Sequence, residues 1–310
     1  MSPTSSAPLS GGRGRLIHGA GPHLGSRPFR IVGRWPPVGG DDRFTYINLF
    51  AFTNIAGQAG AVVTAGAAGV VVDWERRGKR RRQAGADTQI NADTPADLAA
   101  VRAAQPGTVL CRVNRWSRWT PAEIDLAVDL GADEILLPMV RRPDEVDAAL
   151  DVVDGRAGLG ILVETTEAVR RVDELVQRPL GRAYIGLNDL MIDRGGGPLF
   201  LALVDGTADR VAAAAAGAGI PFGVAGLTLP EAGQPVPCRL VLGALARAGA
   251  AFTFLRRSFW ADTAGRDLAV EVPRILEAAE AAAHRPPAAV AADHAELSAL
   301  VALLSVDQAV

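Results

Sequence analysis

The chain has 310 residues, of which 49% are hydrophobic and 21% charged, with 34 glycines. This composition excludes a disordered, a collagen-like and a disulfide-rich protein. A formal net charge of −2, from 32 basic and 34 acidic residues, argues against a general nucleic-acid or anionic-membrane binder. Only two cysteines are present, Cys111 and Cys238, which fits a reducing cytoplasm. We therefore expect a globular, cytoplasmic protein whose partner is a small molecule.

Two segments near the amino terminus resemble targeting or membrane sequences. The first 27 residues are rich in Ser, Gly, Pro and Arg and lack the apolar core of a secretory signal, so we expect residues 1–43 to form a mobile arm and lead-in. The uncharged stretch from Phe44 to Val72 is long enough to span a bilayer. Its glycines, its polar residues and the β-branched run that ends it instead favour strand, helix, strand.

A dense basic run follows, from Arg76 to Arg82, and it includes Lys79. Such a run is typical of a nuclear-localisation or nucleic-acid patch, and it is also typical of a solvated loop. Both interpretations remain open at this point.

From residue 44 onwards, a short β-rich run followed by an amphipathic helical stretch recurs along the chain, which predicts a parallel sheet with crossover helices. The predicted strands are Tyr46 to Phe52, Gly69 to Glu75, Thr108 to Asn114, Glu134 to Val140, Gly158 to Thr165, Arg182 to Leu190, Pro221 to Thr228 and Ala251 to Phe259. The predicted helices include Thr94 to Ala104, Pro121 to Leu130, Pro143 to Val153, Thr166 to Gln177 and Leu199 to Ala218.

Eight evenly spaced units predict an α/β fold of the (β/α)8 TIM-barrel type over residues 44–285. A doubly wound open sheet is the alternative, but no G-x-G-x-x-G motif follows the first strand. Pro286 and Pro287 end the last barrel helix, and apolar residues recur in the tail, residues 286–310. We expect the tail to form an extra helix that docks on the barrel or on a neighbouring subunit.

In a TIM barrel the chemistry lies at the carboxyl ends of the strands, so polar residues that close an apolar strand are the candidates for function. Strands two, three, five and six of the prediction end in such residues: Asp73 and Glu75, Arg112 and Asn114, Glu164, and Asn188 and Asp189. Residues two positions apart in a strand share a face, so the pairs from strands two and three should converge.

Glu164 and Asp189 are carboxylates from adjacent units, and two carboxylates with waters and substrate oxygens commonly hold Mg²⁺. A buried carboxylate pair that shares a proton is the alternative. All four histidines fall in the arm or beyond the last strand, so a zinc site is not expected. Arg112 brings five donors suited to a carboxylate or to a keto oxygen that becomes an enolate, and it could equally bridge Asp73 or Glu75.

Five segments resemble the 2-keto-acid aldolase and citrate lyase beta-subunit family (HpcH/HpaI), a branch of the pyruvate and phosphoenolpyruvate TIM barrels. They are VVDWE, CRVN, GADEILLPMV, GILVETTEAV and YIGLNDL, in the family's order across roughly residues 65–192. The resemblance implies that Glu164 and Asp189 hold a divalent metal (Mg²⁺, or Mn²⁺ or Co²⁺) and that Arg112 binds the keto oxygen.

The same resemblance makes Asp73 and Glu75 supporting or proton-handling groups. Arg76, Lys79, Asn114 and Asn188 are further candidates for substrate contacts. Hydroxy-diacid aldolases of the family carry a histidine base directly after the acidic pair of strand two, whereas this chain has Arg76 there. The identity of the proton carrier is therefore open.

The sequence thus predicts a metal-dependent carbon–carbon lyase that acts through the enolate of pyruvate, oxaloacetate or a similar 2-keto acid. One alternative is an acyl-CoA lyase or thioester hydrolase, in which the basic run, Arg256 and Arg257 would receive the phosphates of a CoA thioester. Another is a catalytically silent barrel that binds a metabolite. Family barrels pack terminal helices on neighbours, so the resemblance also implies a homo-oligomer, a trimer or hexamer.

Overall fold

The computed structural model describes residues 47–77 and 93–307. Eight parallel strands pair in sequence order, and β8 closes onto β1. The strands are β1 Asn48–Phe52, β2 Gly69–Asp73, β3 Thr108–Arg112, β4 Glu134–Leu137, β5 Gly158–Leu162, β6 Arg182–Ile185, β7 Phe222–Leu227 and β8 Phe252–Leu255. The predicted TIM barrel is confirmed.

Helices alternate with the strands and cover the outside of the barrel. Numbered along the described residues, they are α1 Ala56–Thr64, α2 Pro95–Ala104, α3 Thr120–Asp129, α4 Pro143–Val153, α5 Thr166–Arg170, α6 Val172–Leu175, α7 Leu187–Asp193, α8 Thr207–Gly217, α9 Cys238–Arg247, α10 Phe259–Asp262, α11 Leu268–Ala283 and α12 Pro287–Asp307. A short 3-10 turn, Leu201–Leu203, lies between α7 and α8.

The barrel interior is a packed apolar core, because every second residue of each strand points inward. Its buried strand residues are Phe50, Val71, Leu110, Leu136, Leu162, Tyr184, Phe252 and Phe254, and Ala251, directly before β8, packs with them. The residues between them face the helices and belong to a second, larger apolar cluster. Because both faces of the strands are covered, the strands appear in the sequence as continuous apolar runs rather than as alternating patterns.

An ion pair closes the amino-terminal end of the barrel. Arg182, at the start of β6, donates to both carboxylate oxygens of Glu134, at the start of β4, with distances from 2.7 to 2.9 Å. The guanidinium also lies over the rings of Phe50 and Phe252, at 4.6 and 4.9 Å. This pair fills the bottom of the barrel, the end at which residues serve stability rather than chemistry.

The structure corrects several predicted boundaries. The sixth predicted strand, Arg182 to Leu190, stops at Ile185, and α7 begins at Leu187, so Asn188 and Asp189 lie in the first turn of a helix. The helix predicted over Thr166 to Gln177 is two short helices, and the one predicted from Leu199 begins only at Thr207. Tyr46, the first residue of the predicted first strand, lies outside the described residues.

The tail forms the expected extra helix, and it docks on its own barrel. Leu297 and Val301 of α12 are buried, at 0% and 1% exposure, and α12 packs against α9. Arg285 pairs with the buried Asp293, which fixes the start of the helix. By length and composition alone, residues 287–305 could also cross a membrane, with a mean hydropathy of 1.4, but one such helix is weak evidence.

The predicted amino-terminal arm, residues 1–43, lies outside the described residues, as does Lys79 with most of the basic run. Arg76 and Arg77, the first two members of that run, are described and are exposed at the carboxyl end of the barrel.

Candidate functional site

Asp73 and Arg112 form the centre of a buried polar cluster at the carboxyl end of the barrel. They are direct neighbours in register, at the last positions of β2 and β3. The Nε and Nη2 groups of Arg112 donate to the two carboxylate oxygens of Asp73, at 2.8 and 2.6 Å. This two-pronged bond, together with the ring of Phe52 at 5.1 Å, fixes the plane of the guanidinium. The convergence predicted for the ends of strands two and three is present here.

Glu75 lies beside this pair. Its Oε2 is 3.7 Å from Nε of Arg112, and its backbone N–H donates to Asp73 at 3.1 Å. Both carboxylate side chains are fully buried. Two acidic neighbours raise the pKa of the Arg112 guanidinium against the opposing effect of burial, so Arg112 stays charged.

Asn114 holds the loop that follows β2. Its Oδ1 accepts from the backbone N–H groups of Arg76 and Arg77, at 2.9 and 2.7 Å. Its Nδ2 donates to the carbonyl of Trp74 and to the carboxylate of Glu123. The Asn114 side chain therefore joins the β2 and β3 loops, and the substrate contact predicted for it stays a prediction.

Glu164 follows β5 and is 2% exposed. Its Oε1 accepts from the backbone N–H of Met139 at 2.8 Å, where Met139 has a left-handed φ of +56° that is uncommon for a residue with a side chain. A Cβ on Gly186 would lie 2.2 Å from Oε2 of Glu164, so any larger residue there would displace this carboxylate. Backbone geometry on two neighbouring loops therefore fixes this carboxylate.

Burial raises the pKa of Glu164 well above its ordinary value, and the charges of Asp189 and Glu75 raise it further. Asp189 is 6% exposed and occupies the first turn of α7, three residues after Gly186. Two carboxylates are thus close enough to repel each other in a site almost closed to water. Asn188 is half-buried beside Asp189, and none of the side-chain hydrogen bonds among the described residues involves it.

Within the described residues, no group of three or more His, Cys, Asp and Glu side chains is arranged to hold a metal ion. Glu164 and Asp189 are nevertheless suited to one hard divalent cation, since its charge would relieve their repulsion while waters and substrate oxygens complete the shell. Neither described histidine is near, because His284 ends α11 and His294 lies in α12. The chemistry of the donors fits Mg²⁺ or Mn²⁺ rather than zinc.

Three further residues belong to this end of the barrel, and the strand-end pattern did not reveal them. Tyr184 lies inside the barrel near Arg112 and Glu164, and its hydroxyl donates to the carbonyl of Ala225. Asp93, 4% exposed, accepts from the backbone N–H of Asp73 at 2.7 Å. Arg256 directly follows β8. Asp93 precedes a helix and Tyr184 sits mid-strand, so neither position has a sequence signal for function.

Three solved structures that superpose on this chain show what it resembles. An HpcH/HpaI aldolase/citrate lyase family protein from Burkholderia cenocepacia J2315 superposes with a TM-score of 0.56 at 19% identity, covering 74% of this chain and 95% of its own. An HpcH/HpaI aldolase from Desulfitobacterium hafniense DCB-2 gives 0.50 at 15% identity, covering 78% and 95%. The chain has the HpcH/HpaI fold. RipC from Yersinia pestis also matches, at 0.51 and 15% identity, covering 79% and 99%.

These neighbours show that the chain shares the fold of HpcH/HpaI proteins. At identities of 15 to 19%, a shared fold does not establish a shared activity. No protein-family model and no curated protein sequence matches the chain. The function must therefore be argued from the site itself.

Proposed function

We propose that this protein is a divalent-metal-dependent carbon–carbon lyase of the aldolase type, acting through the enolate of pyruvate, oxaloacetate or a similar 2-keto acid. The observation that carries the proposal is the meeting of one fixed arginine, Arg112, with buried carboxylates from three further units of the barrel. It occurs at the end of the fold where TIM-barrel enzymes place their chemistry. The aldolase names of two structural neighbours support the same reading.

Glu164 and Asp189 are the residues that would hold the metal. When bound, a divalent cation supplies Lewis-acid stabilisation of a developing enolate, a contribution of several kcal/mol. Gly186 and the Met139 N–H position Glu164 for this task.

Arg112 would bind the keto oxygen. Two of its five N–H groups are used by Asp73, and no described residue accepts from its Nη1. A donor fixed in this way needs no reorganisation when charge develops on the substrate oxygen. Asp73 orients Arg112, and we propose Asp73 and Glu75 as the proton-handling pair, because they are the buried carboxylates in contact with it.

The decisive experiment exploits two arginines of equal burial. Arg112 and Arg182 each have a side chain 14% exposed and each binds a carboxylate with two N–H groups, at opposite ends of the barrel. Arg112→Lys should lower kcat for pyruvate–aldehyde condensation about 100-fold or more, because the planar fork is lost. Arg182→Lys should lower thermal stability about as much as Arg112→Lys does, and it should leave kcat within a few-fold of wild type.

Equal losses of kcat in the two variants would show that Arg112 is only structural. Chelation of the metal should abolish turnover, and Mg²⁺ or Mn²⁺ should restore it. Full activity after chelation would contradict the proposal, and a protein that binds 2-keto acids without any turnover would instead be the silent metabolite-binding barrel.

A second function, acyl-CoA lyase or thioester hydrolase, is favoured by one surface feature. Trp119 is 49% exposed, and the guanidinium groups of Arg118 and Arg77 lie over its ring at 4.5 and 5.2 Å. An exposed aromatic ring among cations, with Arg76 nearby, could receive the base and phosphates of a CoA thioester. Tight coenzyme A binding that weakens with salt would support this function, and a simple aldolase should show none.

We further propose that the protein works in the cytoplasm on a small anionic substrate, without nucleic acid or membrane, as a homo-oligomer. The near-neutral charge balance supports the absence of a nucleic-acid partner. The oligomer, a trimer or hexamer, is proposed by analogy with barrels of the HpcH/HpaI family.

A further inference from the structure

Arg256 is a second arginine inside the carboxyl end of the barrel. Phe252 and Phe254 of β8 point into the barrel core, so the residue two positions further on keeps the same inward direction. The backbone N–H of Arg256 still donates to the carbonyl of Leu227, at 2.6 Å, which continues the pairing of β8 with β7. Arg256 thus projects from the rigid scaffold rather than from a free loop.

Neutral groups surround the Arg256 guanidinium. Its Nε donates to the carbonyl of Gly226 at 2.8 Å, and Nη1 and Nη2 share the carbonyl of Val236 at a long 3.4 Å. Its central carbon lies 5.6 Å from the centroid of the Phe200 ring. Of five N–H groups, two have no acceptor among the described residues.

The end of β7 and the loop that follows it approach this side chain closely. A Cβ on Gly226, in β7, would lie 3.1 Å from Cγ of Arg256. A Cβ on Gly233, in the loop at a φ of +109°, would lie 2.8 Å from the backbone N of Cys238 and 3.0 Å from Nη1 of Arg256. Glycines at these positions let the backbone close onto the guanidinium. The enclosure is therefore built into the fold and does not depend on the position of exposed side chains.

Arg256 differs from Arg112 in its charge partner. No carboxylate of the described residues lies within 4 Å of it, and the carboxylate whose charge acts on it is Asp262, whose Oδ2 already accepts from the Thr228 hydroxyl. Burial accordingly lowers the pKa of Arg256, whereas two carboxylates raise that of Arg112. A half-buried cation without an anion costs free energy that a bound anion would recover.

Arg256 faces the same space as the proposed reaction site. The Arg112 guanidinium lies 5.1 Å from the Phe52 ring, and that ring lies 5.0 Å from the ring of Phe254, two residues before Arg256. The Tyr184 hydroxyl donates to the carbonyl of Ala225, and the next carbonyl, that of Gly226, accepts from Arg256. The Tyr184 ring packs on Phe254, directly below Arg256, with ring centroids 4.3 Å apart. A substrate whose keto-acid head lies at Arg112 would extend towards Arg256.

We propose that Arg256 binds a second anionic group of the substrate, a carboxylate or a phosphate at the end remote from the keto acid. The inference rests on the proposed function and names its substrate class: a 2-keto acid with a second acidic group, or a phosphorylated aldehyde as the acceptor. The two N–H groups of Arg256 that have no acceptor among the described residues would form charge-assisted hydrogen bonds to that anion.

The test compares one-headed and two-headed ligands on the Mg²⁺-loaded protein by calorimetry. Pyruvate and oxalate probe the keto-acid head alone, and 2-oxoglutarate and 2-oxoadipate add a distal carboxylate. Condensation of pyruvate with glyceraldehyde or glyceraldehyde 3-phosphate probes a distal phosphate. Arg256→Gln should weaken the binding of either the keto diacids or glyceraldehyde 3-phosphate at least tenfold. It should change the affinity for pyruvate less than twofold. Arg256→Lys, which keeps the charge, should lose less affinity for the same ligands. The exposed Arg210→Gln should change none of these affinities.

A loss confined to the keto diacids identifies a carboxylate, and a loss confined to the phosphorylated aldehyde identifies a phosphate. Equal losses for pyruvate and for the two-headed ligands, or no loss in either class, would overturn the subsite while leaving the proposed function intact. A wild-type protein that binds neither pyruvate nor oxalate would instead refute the proposed function, and the subsite with it. Melting curves of both Arg256 variants check that they are folded.

Discussion

Two carboxylates placed side by side in a nearly dry site are costly unless a proton or a cation separates them. Glu164 and Asp189 are in this situation, and the fold enforces it through the Met139 N–H and the close approach of Gly186. The expense of such an arrangement at the carboxyl end of the barrel is itself an argument for function.

We therefore expect the double variant Glu164→Gln with Asp189→Asn to lose metal binding. It removes both formal charges at nearly constant size, so Mn²⁺ affinity in calorimetry should fall by orders of magnitude. Mn²⁺ should raise the melting temperature of the wild type and leave that of the variant unchanged. A control variant, Asp173→Asn with Glu174→Gln, removes two exposed charges and should bind Mn²⁺ normally. Unchanged affinity in the site variant would eliminate this metal site.

Asp93 offers a pH-dependent test of the buried cluster. Burial, followed by the charge of Asp73, raises its pKa from 3.8 to about 6, although the N–H of Asp73 partly opposes this. A carboxyl whose folded pKa lies above its unfolded value stabilises the fold at low pH. That contribution is complete below about pH 4 and is lost as pH rises through about 6.

Asp93→Asn should consequently stabilise the protein at neutral pH and have little effect at pH 4. The amide keeps an acceptor for the Asp73 N–H and removes the buried charge, so the gain at pH 7.5 should reach up to about 3 kcal/mol. Urea unfolding at the two pH values measures it. The exposed Asp151→Asn serves as the control, and its free energy of unfolding should change between the two pH values as much as that of the wild type. A loss of stability at neutral pH would mean that ionised Asp93 has a favourable partner.

At the scale of elements, strand starts were predicted better than strand ends. The structure begins β2 to β6 at the predicted residues, yet the prediction extends each of these five strands past its observed end. The reason is that Val113 and Val163, just past the ends of β3 and β5, are still fully buried, and their backbone N–H groups still donate to the carbonyls of Leu136 and Tyr184. Their β-branched side chains therefore extend the apolar sequence pattern beyond the last residue of each strand.

The β6–α7 junction shows a second limit. The segment Leu187 to Leu190 has the apolar content of a strand end, but Asp189 falls in the first turn of α7, where an acidic residue is favourable. Gly186, directly before α7, brings its backbone close to Glu164 of the neighbouring unit. That contact joins residues far apart in sequence, so no local pattern could predict it.

Helix α12 provides a stability test within one element. Leu297 is fully buried against the barrel helices, whereas Leu303, on the same helix, is 65% exposed. Leu297→Ala should destabilise the protein by roughly 2 to 5 kcal/mol, and Leu303→Ala should change stability by less than about 0.5 kcal/mol. Chemical unfolding of the two variants checks this. Similar effects at both positions would mean that Leu303 is covered in solution, as a subunit contact would require.

At the scale of the whole molecule, the tail has two expected roles that one experiment separates. Deletion of residues 288–310 exposes the α9 face that Leu297 and Val301 cover, so we expect a lower melting temperature. The number of subunits per particle should stay unchanged if α12 only docks on its own barrel. A fall from trimer or hexamer to a smaller species would assign the tail to the oligomer, and a full-length monomer at micromolar concentration would contradict the oligomer itself.

The sequence by itself determined the barrel and the residues that could perform chemistry at its carboxyl end. Hydrophobic periodicity is local, and polar residues that interrupt it at strand ends are visible without any coordinates. Asp73, Glu75, Arg112, Glu164 and Asp189 could therefore be singled out together. The sequence also offered two fates for the tail, on its own barrel or on a neighbour.

Only the tertiary structure decided how those residues are used. It showed that Asn114 joins two loops and that Asp93 accepts a hydrogen bond from the Asp73 N–H. It also showed that no carboxylate of the described residues lies within 4 Å of Arg256. Each of these facts depends on contacts between distant segments, in a cluster where burial sets the strength of every charge interaction. Sequence spacing carries no information about such contacts, because the closed barrel alone brings them together.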